Sequence, residues 1–350
     1  MPHQRLLKKL SSHGIEGNVK RWIGAWLTDR YQRVCIKGVK SSWLRVLSGV
    51  PQGSVLGPVL FLIYINDLDE GILSWILKFA DDTKAFRGLP GIGDSDILQA
   101  DIDRLFDWSV TWQMMFNVQK CKVMHFGRGN PCNDYKMNNI PLEKVKVERD
   151  LGVLISDDLK VSSQCAQAYA KANRMLGLVK RAIINKEPEI MVRLYKTLVR
   201  PHVEYCTAVW SPHYQKDKEL IEKIQHRFTK MIPKVKHLSY EDRIRVLRLW
   251  TLEERRNRAD LIQVFKMYRG LAEPKFEDFF ELDVRSRTRG HPAKIVKHRC
   301  ETLIRQKFFS ERVVNSWNRL DTETVLASSV DQFKGRLAKL KEIKKDLFRD

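Results

Sequence analysis

Trp75-Ile76-Leu77-Lys78-Phe79-Ala80-Asp81-Asp82-Thr83-Lys84-Ala85-Phe86 is the stretch that decides how this chain is read. Two hydrophobic β runs, Trp75 to Ala80 and Thr83 to Phe86, flank a very tight turn expected at Asp81-Asp82. Adjacent carboxylates on a hairpin turn repel one another unless a cation neutralises them, so a divalent metal is a reasonable inference. Taken alone, the pair is a weak motif and reads more simply as a solvated turn.

Working outward, Leu6, Leu7 and Leu10 predict an opening helix, and Val19, Trp22, Ile23, Trp26 and Leu27 a second. Tyr31 to Ile36 and Trp43 to Leu47 read as a hairpin about Gly38. The segment Ser54 to Asp67 is apolar nearly all round, which predicts a buried element capped by Ser54. After the hairpin come a helical stripe from Leu98 to Trp112, a strand at Cys121 to Phe126 and a last strand at Leu151 to Ile155. Asp101, Asp103 and Asp107 lie off that stripe and are expected on a solvated face. Beyond about residue 160 helical periodicity dominates, in Tyr169 to Ile184, Met191 to Trp210 and Leu220 to Ile232. Leu271 to Ala293 reads as a polar loop or linker, followed by basic helices at Ile304 to Leu320 and Val330 to Leu347. The fold class is therefore α+β, mixed first and helical afterwards.

Among 350 residues, 63 basic side chains face 42 acidic ones, a formal charge of +21. Residues 1–150 hold 21 basic and 16 acidic residues (net +5), which leaves 42 and 26 (net +16) for residues 151–350. Such an excess, interleaved with apolar residues, points to a polyanionic partner bound on folded faces. Six cysteines form no CxxC pair, so a reduced, intracellular setting is expected. No secretory signal is visible, and Val55 to Ile65, broken by Gly57 and Pro58, is too short to span a bilayer, so no membrane partner is expected. Cys121-x3-His125 and His298-x-Cys300 lack the second ligand pair a zinc site needs.

About thirty residues before the acidic pair stands Ser48-Gly49-Val50-Pro51-Gln52-Gly53-Ser54-Val55-Leu56-Gly57-Pro58-Val59-Leu60-Phe61, where proline and glycines allow close backbone approach. This block followed by Phe79-Ala80-Asp81-Asp82-Thr83-Lys84 resembles the fourth and fifth motifs of reverse transcriptases, in the wording of non-LTR (LINE-type) retrotransposons of the jockey and chicken-repeat groups. The resemblance continues through Trp112-Gln113-Met114, Phe116-Asn117, Lys120-Cys121, Phe126-Gly127, Leu151-Gly152-Val153, Tyr195-Lys196, Arg200-Pro201 and Glu204-Tyr205.

It implies a partial right-hand polymerase palm over residues 1–158, a helical basic thumb-like region over 159–270, and a basic linker with C-terminal helices over 271–350. It also implies RNA-directed DNA synthesis, with an RNA template, a DNA primer or target and deoxynucleoside triphosphates as partners, and Mg²⁺, or Mn²⁺ in its place, as cofactor. Asp81 and Asp82 would hold the metal, with Asp81 the better direct ligand. Phe79 would pack near the primer end or nucleotide, or serve simply as strand core. Pro51, Gln52 and Gly53 would contact the nascent base pair and template backbone, and Lys120 or Lys122 would protonate pyrophosphate or steady the triphosphate. Basic helices around Lys216 to Lys236 and Arg243 to Arg258 would follow a hybrid backbone, and Trp210, Trp250 and Trp317 would be thumb core. Residence in the nucleus or the cytoplasm stays open, with only the resemblance favouring the nucleus, and oligomeric state, template and target stay open too.

The family's third carboxylate sits on a strand just before a helix of the form Pro-His-x-x-Leu-Leu-x-Lys-Leu. Here Pro2 to Leu10 matches that helix, so the earlier acidic strand, the fingers and the amino-terminal endonuclease are expected to be missing. Two expectations follow. One is a truncated polymerase impaired by the absent carboxylate; the other is an inactive remnant that still grips RNA or RNA–DNA hybrid. The hairpin's unpaired apolar edge would also favour aggregation.

Overall fold

The computed structural model describes residues 1–283, 290–343 and 348. Helix makes up 50% of the described residues and strand 11%, so the structure is mixed α and β. It divides into two compact units, Met1–Val145 and Lys146–Asp350.

In the first unit, α1 (His3–Ser12) and α2 (Gly17–Leu27) bury Leu6, Leu10, Ile23 and Leu27, which recur three or four residues apart on each helix. The hairpin that follows has four short strands, β1 (Tyr31–Gln32), β2 (Cys35–Ile36), β3 (Val39–Lys40) and β4 (Leu44–Arg45). β2 pairs with β3 about Lys37-Gly38, both at positive φ, and β1 pairs with β4. α3 (Leu56–Tyr64) completes the α1–α2 core through Leu60 and Tyr64. Ser54 does start it, accepting the Gly57 N–H at 3.0 Å and donating to the Pro51 carbonyl at 2.7 Å. The expectation that this segment is buried nearly all round needs correction, because Val55, Val59 and Leu62 are 89%, 49% and 56% exposed. The face carrying Gly57, Leu60 and Tyr64 is buried, with Leu56, Phe61 and Ile63 partly buried against the same core.

β5 (Trp75–Phe79) and β6 (Asp82–Phe86) form an antiparallel pair, and α4 (Asp94–Trp112) follows. The strand expected at Cys121 to Phe126 contracts to β7 (Lys122–Val123). A hairpin the sequence reading missed, β8 (Lys136–Met137) with β9 (Ile140–Pro141), turns on Asn138-Asn139, both at positive φ. Asparagine tolerates that region, and the pair was the available signal. β10 (Glu143–Lys144) runs parallel to β7.

The α1–α3–α4 core holds a buried charge. Lys9 is 2% exposed, pairs with Asp67, and holds its ammonium 3.6 Å from the Trp112 ring centroid and 5.3 Å from that of Trp108. Trp108 Nε1 donates to Asp67 at 3.0 Å, and Tyr64 donates to the Trp112 carbonyl.

The second unit opens with β11 (Val147–Asp150) and β12 (Val153–Ser156), paired about Leu151-Gly152. Cys165, Ala168, Ala172, Leu176 and Val179 on α5 (Ser162–Ala182) form a stripe that joins Ile221, Ile224 and Phe228 of a later helix in one core cluster. The helical stretch expected over Met191 to Trp210, with Pro201 as punctuation, is divided into α6 (Pro188–Leu194), a π-helical turn (Tyr195–Val199), α7 (Pro201–Glu204) and α8 (Thr207–Trp210). Pro201 explains the break. It has no N–H for the carbonyl four residues back, and the Arg200 N–H reaches instead to Tyr195 O, 2.9 Å away.

α9 (Gln215–Lys230), α10 (Tyr240–Val246) and α11 (Leu252–Tyr268) follow, the last begun by a Thr251/Glu254 capping box. Leu271 to Ala293 is irregular where described, yet it is no free linker, because Phe276, Phe280 and Ala293 are buried with Phe265 and Trp317. Residues 284–289 of that segment lie outside the described residues. The helix expected at Ile304 to Leu320 is three short ones, α12 (Leu303–Gln306), α13 (Phe309–Arg312) and α14 (Val314–Asn318). α15 (Thr322–Val325) and α16 (Val330–Ile343) close the unit. The remainder of the helix expected to Leu347 lies outside the described residues. Trp210 and Trp317 are fully buried, as core tryptophans should be, while Trp250 is half-buried against Phe348.

Candidate active site

The β5–β6 register sets Phe79 opposite Asp82, so the two turn residues are Ala80 and Asp81. This corrects the expected turn at Asp81-Asp82. Ala80 takes φ 51°, a region that costs a residue with a Cβ about 1 kcal/mol or more, and a two-residue hairpin demands it. Asp81 therefore projects from the turn while Asp82 opens β6. Because alternate residues share a face, Asp82 lies on the side of Phe79, Leu77, Trp75 and Phe86. That side is open: Phe79 is 64% exposed, and Trp75 stacks on Phe86 at 6.5 Å.

Neither the Asp81 nor the Asp82 side chain makes a hydrogen bond or ion pair among the described residues, and both residues are exposed. Two adjacent carboxylates held in no ion pair of their own suit a divalent ion, although Lys84 shares the Asp82 face. Among the described residues, however, no group of three His, Cys, Asp or Glu is placed to hold one alone.

Three charged anchors fix the hairpin. Lys78 donates to Asp69 at 2.6 Å and to the Asn66 carbonyl at 3.0 Å, and the bond to Asp69 holds that carboxyl below its usual range. Arg87 donates to Asp94 at 2.9 Å. Asp101, expected on a solvated face, is instead fully buried and accepts the backbone N–H groups of Leu73 at 3.1 Å and Ser74 at 2.8 Å, just ahead of β5, with Arg104 at 2.8 Å. Burial pushes its carboxyl up, but the hydrogen bonds from Ser74, Leu73 and Arg104 outweigh that and leave it below the usual range. Asp103 and Asp107 are exposed, as expected. The sequence signal for Asp101 was its place between Leu98 and Leu105, beside the apolar stripe rather than opposite it.

In the other expected segment, Pro51 to Ser54 is a turn with Gly53 at φ 83°. A Cβ on Gly57 would stand 2.9 Å from Ser54 Oγ and 3.2 Å from Pro51 O, so this glycine is required by close approach. Gln52 is exposed and unpartnered among the described residues. Lys122 is paired with Glu143, whereas Lys120, at the end of a short 3₁₀ turn, is exposed and unpaired among the described residues. No hydrogen bond or ion pair among the described residues joins the acidic pair to Gln52, Lys120 or Lys122.

In the second unit Glu204 receives a fork from Arg255, and Tyr205 donates to the Leu151 carbonyl at 3.0 Å. Several cations expected along a hybrid are internal instead. Arg243 is 3% exposed and donates to Thr229 and the Leu238 carbonyl, and Arg256 is 2% exposed. Lys216, Lys223 and Lys230 of α9 remain on the surface.

The model of the family "Reverse transcriptase (RNA-dependent DNA polymerase)" matches residues 1–178, spanning the hairpin, the Pro51–Gly53 turn and the start of the helical unit. The chain is 28% identical over 205 residues to the "RNA-directed DNA polymerase from mobile element jockey" of Drosophila melanogaster, covering 54% of this chain and 22% of that protein. It is 26% identical over 226 residues to the jockey polymerase of Drosophila funebris, covering 59% and 24%. Against the "Probable RNA-directed DNA polymerase from transposon X-element" of Drosophila melanogaster it is 26% identical over 224 residues, again covering 59% and 24%. The chain thus spans less than a quarter of the length of these relatives. An unpaired Asp81-Asp82 hairpin inside a matching segment of this extent places the chain in the reverse transcriptase family, in its non-LTR, LINE-type branch.

Proposed function

We propose that this chain carries the metal-holding hairpin of an RNA-directed DNA polymerase that copies RNA from a DNA primer by two-metal nucleotidyl transfer. The observation that carries the reading is the pair of exposed, unpaired carboxylates on the β5–β6 hairpin within the family-matched segment. Asp81 and Asp82 hold Mg²⁺, or Mn²⁺ in its place, which when bound neutralises triphosphate charge and aligns the primer 3′-hydroxyl. Phe79, on the Asp82 face, offers its ring to the nucleotide or primer end. The exposed Gln52 amide, held by the Pro51–Gly53 turn, meets the template side of the new pair. Lys120 is better suited than Lys122 to steady the triphosphate, because Glu143 occupies Lys122. In this reading residues 1–158 act as part of a palm, 159–270 as a thumb and 271–350 as a C-terminal extension, working in the nucleus where chromosomal targets lie.

A second reading, a catalytically inactive remnant that binds RNA or RNA–DNA hybrid, is favoured by one observation. No third carboxylate is grouped with the pair among the described residues, and two-metal chemistry needs a bridging group. Activity of this chain alone is accordingly expected to be low. Primer extension on a homopolymer RNA template with a DNA primer and Mg²⁺ tests both readings. The expected result is weak incorporation that Asp81→Ala/Asp82→Ala abolishes. Equal incorporation by both proteins contradicts the role of the pair, and none by either, with folded protein, selects the remnant.

A further inference from the structure

We propose that the groove between α5 and α7 binds the phosphodiester backbone of single-stranded nucleic acid. For its choice of polyanion, the inference rests on the reading above. Lys171, Arg174, Met175, Leu178 and Arg181 are spaced so that they share one face of α5, and His202 of α7 forms the opposite wall of a cavity of about 330 Å³. From Lys171 to Arg181 the helix rises about 15 Å, a rail long enough to meet successive phosphates.

Two features separate this groove from an ordinary basic surface. No acidic residue lines it, and Lys171, Arg174, Arg181 and His202 make no ion pair or hydrogen bond among the described residues. Elsewhere in the same unit cations are matched, Lys218 with Glu253, Arg255 with Glu204, Arg312 with Asp260 and Lys341 with Glu254. Uncompensated cations along one helix face repel one another, and a chain of phosphates relieves that repulsion. The floor is apolar, Met175 and the 51% exposed Leu178, which suits the sugar or base face of a strand. A cavity of this volume lies at the small end of ligand sites and admits a nucleotide or two of one strand.

The test is fluorescence anisotropy of the full chain with a labelled 12-nucleotide oligouridylate across a salt series. Lys171→Gln/Arg174→Gln/Arg181→Gln is expected to weaken binding at least tenfold near 150 mM salt and to flatten the log–log salt slope by about 2, at about 0.7 for each phosphate left without its cation. Arg269→Gln/Lys297→Gln/Lys339→Gln, at exposed cations elsewhere in the same unit and an equal reduction in charge, should stay within about threefold of wild type. The charge-keeping Lys171→Arg/Arg174→Lys/Arg181→Lys protein should do the same and excludes misfolding as the cause. Equal weakening by both glutamine sets, no weakening by the groove set, or tighter binding of a matched duplex than of the strand overturns the proposal. Asp81→Ala/Asp82→Ala should bind unchanged, so failure of the polymerase reading and failure of the groove give different results.

Discussion

Asp101→Ala is expected to destabilise the first unit by about 3 kcal/mol. The substitution strips the acceptor from the backbone N–H groups of Leu73 and Ser74, the latter in a buried residue, at the point where the chain enters β5. Each orphaned buried donor costs about 1–3 kcal/mol, whereas removal of the half-exposed Arg104 pair costs little. Asp101→Asn keeps an acceptor and should lose less, and Asp103→Ala, at an exposed neighbour, should fall within about 0.5 kcal/mol of wild type. Urea unfolding measures all three, and an Asp101→Ala protein as stable as Asp103→Ala would refute the anchor. The pH dependence has a definite sign. The folded carboxyl lies below its usual range, so its stabilisation is present above the unfolded-state value near 4 and is lost as pH falls through the folded value. That acid-side decline should be absent in Asp101→Asn.

Lys9→Met should cost about 3 kcal/mol or more. The methionine fills the lysine stem but removes the ammonium from Trp112 and Trp108 and leaves Asp67 with the Trp108 N–H alone. A desolvated cation–π interaction contributes about 2 kcal/mol, and breaking a buried ion pair from one side costs about 3–5 kcal/mol. Because the cost is partly that of an uncompensated carboxylate, Lys9→Met/Asp67→Asn should recover part of it. Urea unfolding of the two single variants and the double gives the coupling directly. Additive effects would mean the two groups do not interact.

Much of the first unit was legible because its signals are local. The apolar stripes of α1 and α2 and the two β runs around the acidic pair identify themselves by period. The exact turn was not legible, since an Asp-Asp dipeptide looks a better turn than Ala-Asp, and only the cross-strand register puts the positive φ on Ala80. Asp101 was misjudged for a related reason: its partners lie 27 and 28 residues away, and charge alone suggests solvent. In the second unit, composition located the excess charge but could not separate Arg243 and Arg256, consumed inside the fold, from the open row on α5. Motif resemblance supplied Asp81, Asp82, Phe79 and Gln52, and the structure adds that the two carboxylates are unpaired and the two other side chains exposed.

The central claim is that Asp81 and Asp82 hold a divalent ion, and titration of Mn²⁺ into the chain, read by the electron paramagnetic resonance of the free ion, tests it most directly. The account predicts uptake by the wild-type chain that is abolished in Asp81→Asn/Asp82→Asn and unchanged in Asp103→Asn. Equal uptake by the wild-type and Asp81→Asn/Asp82→Asn proteins would contradict it.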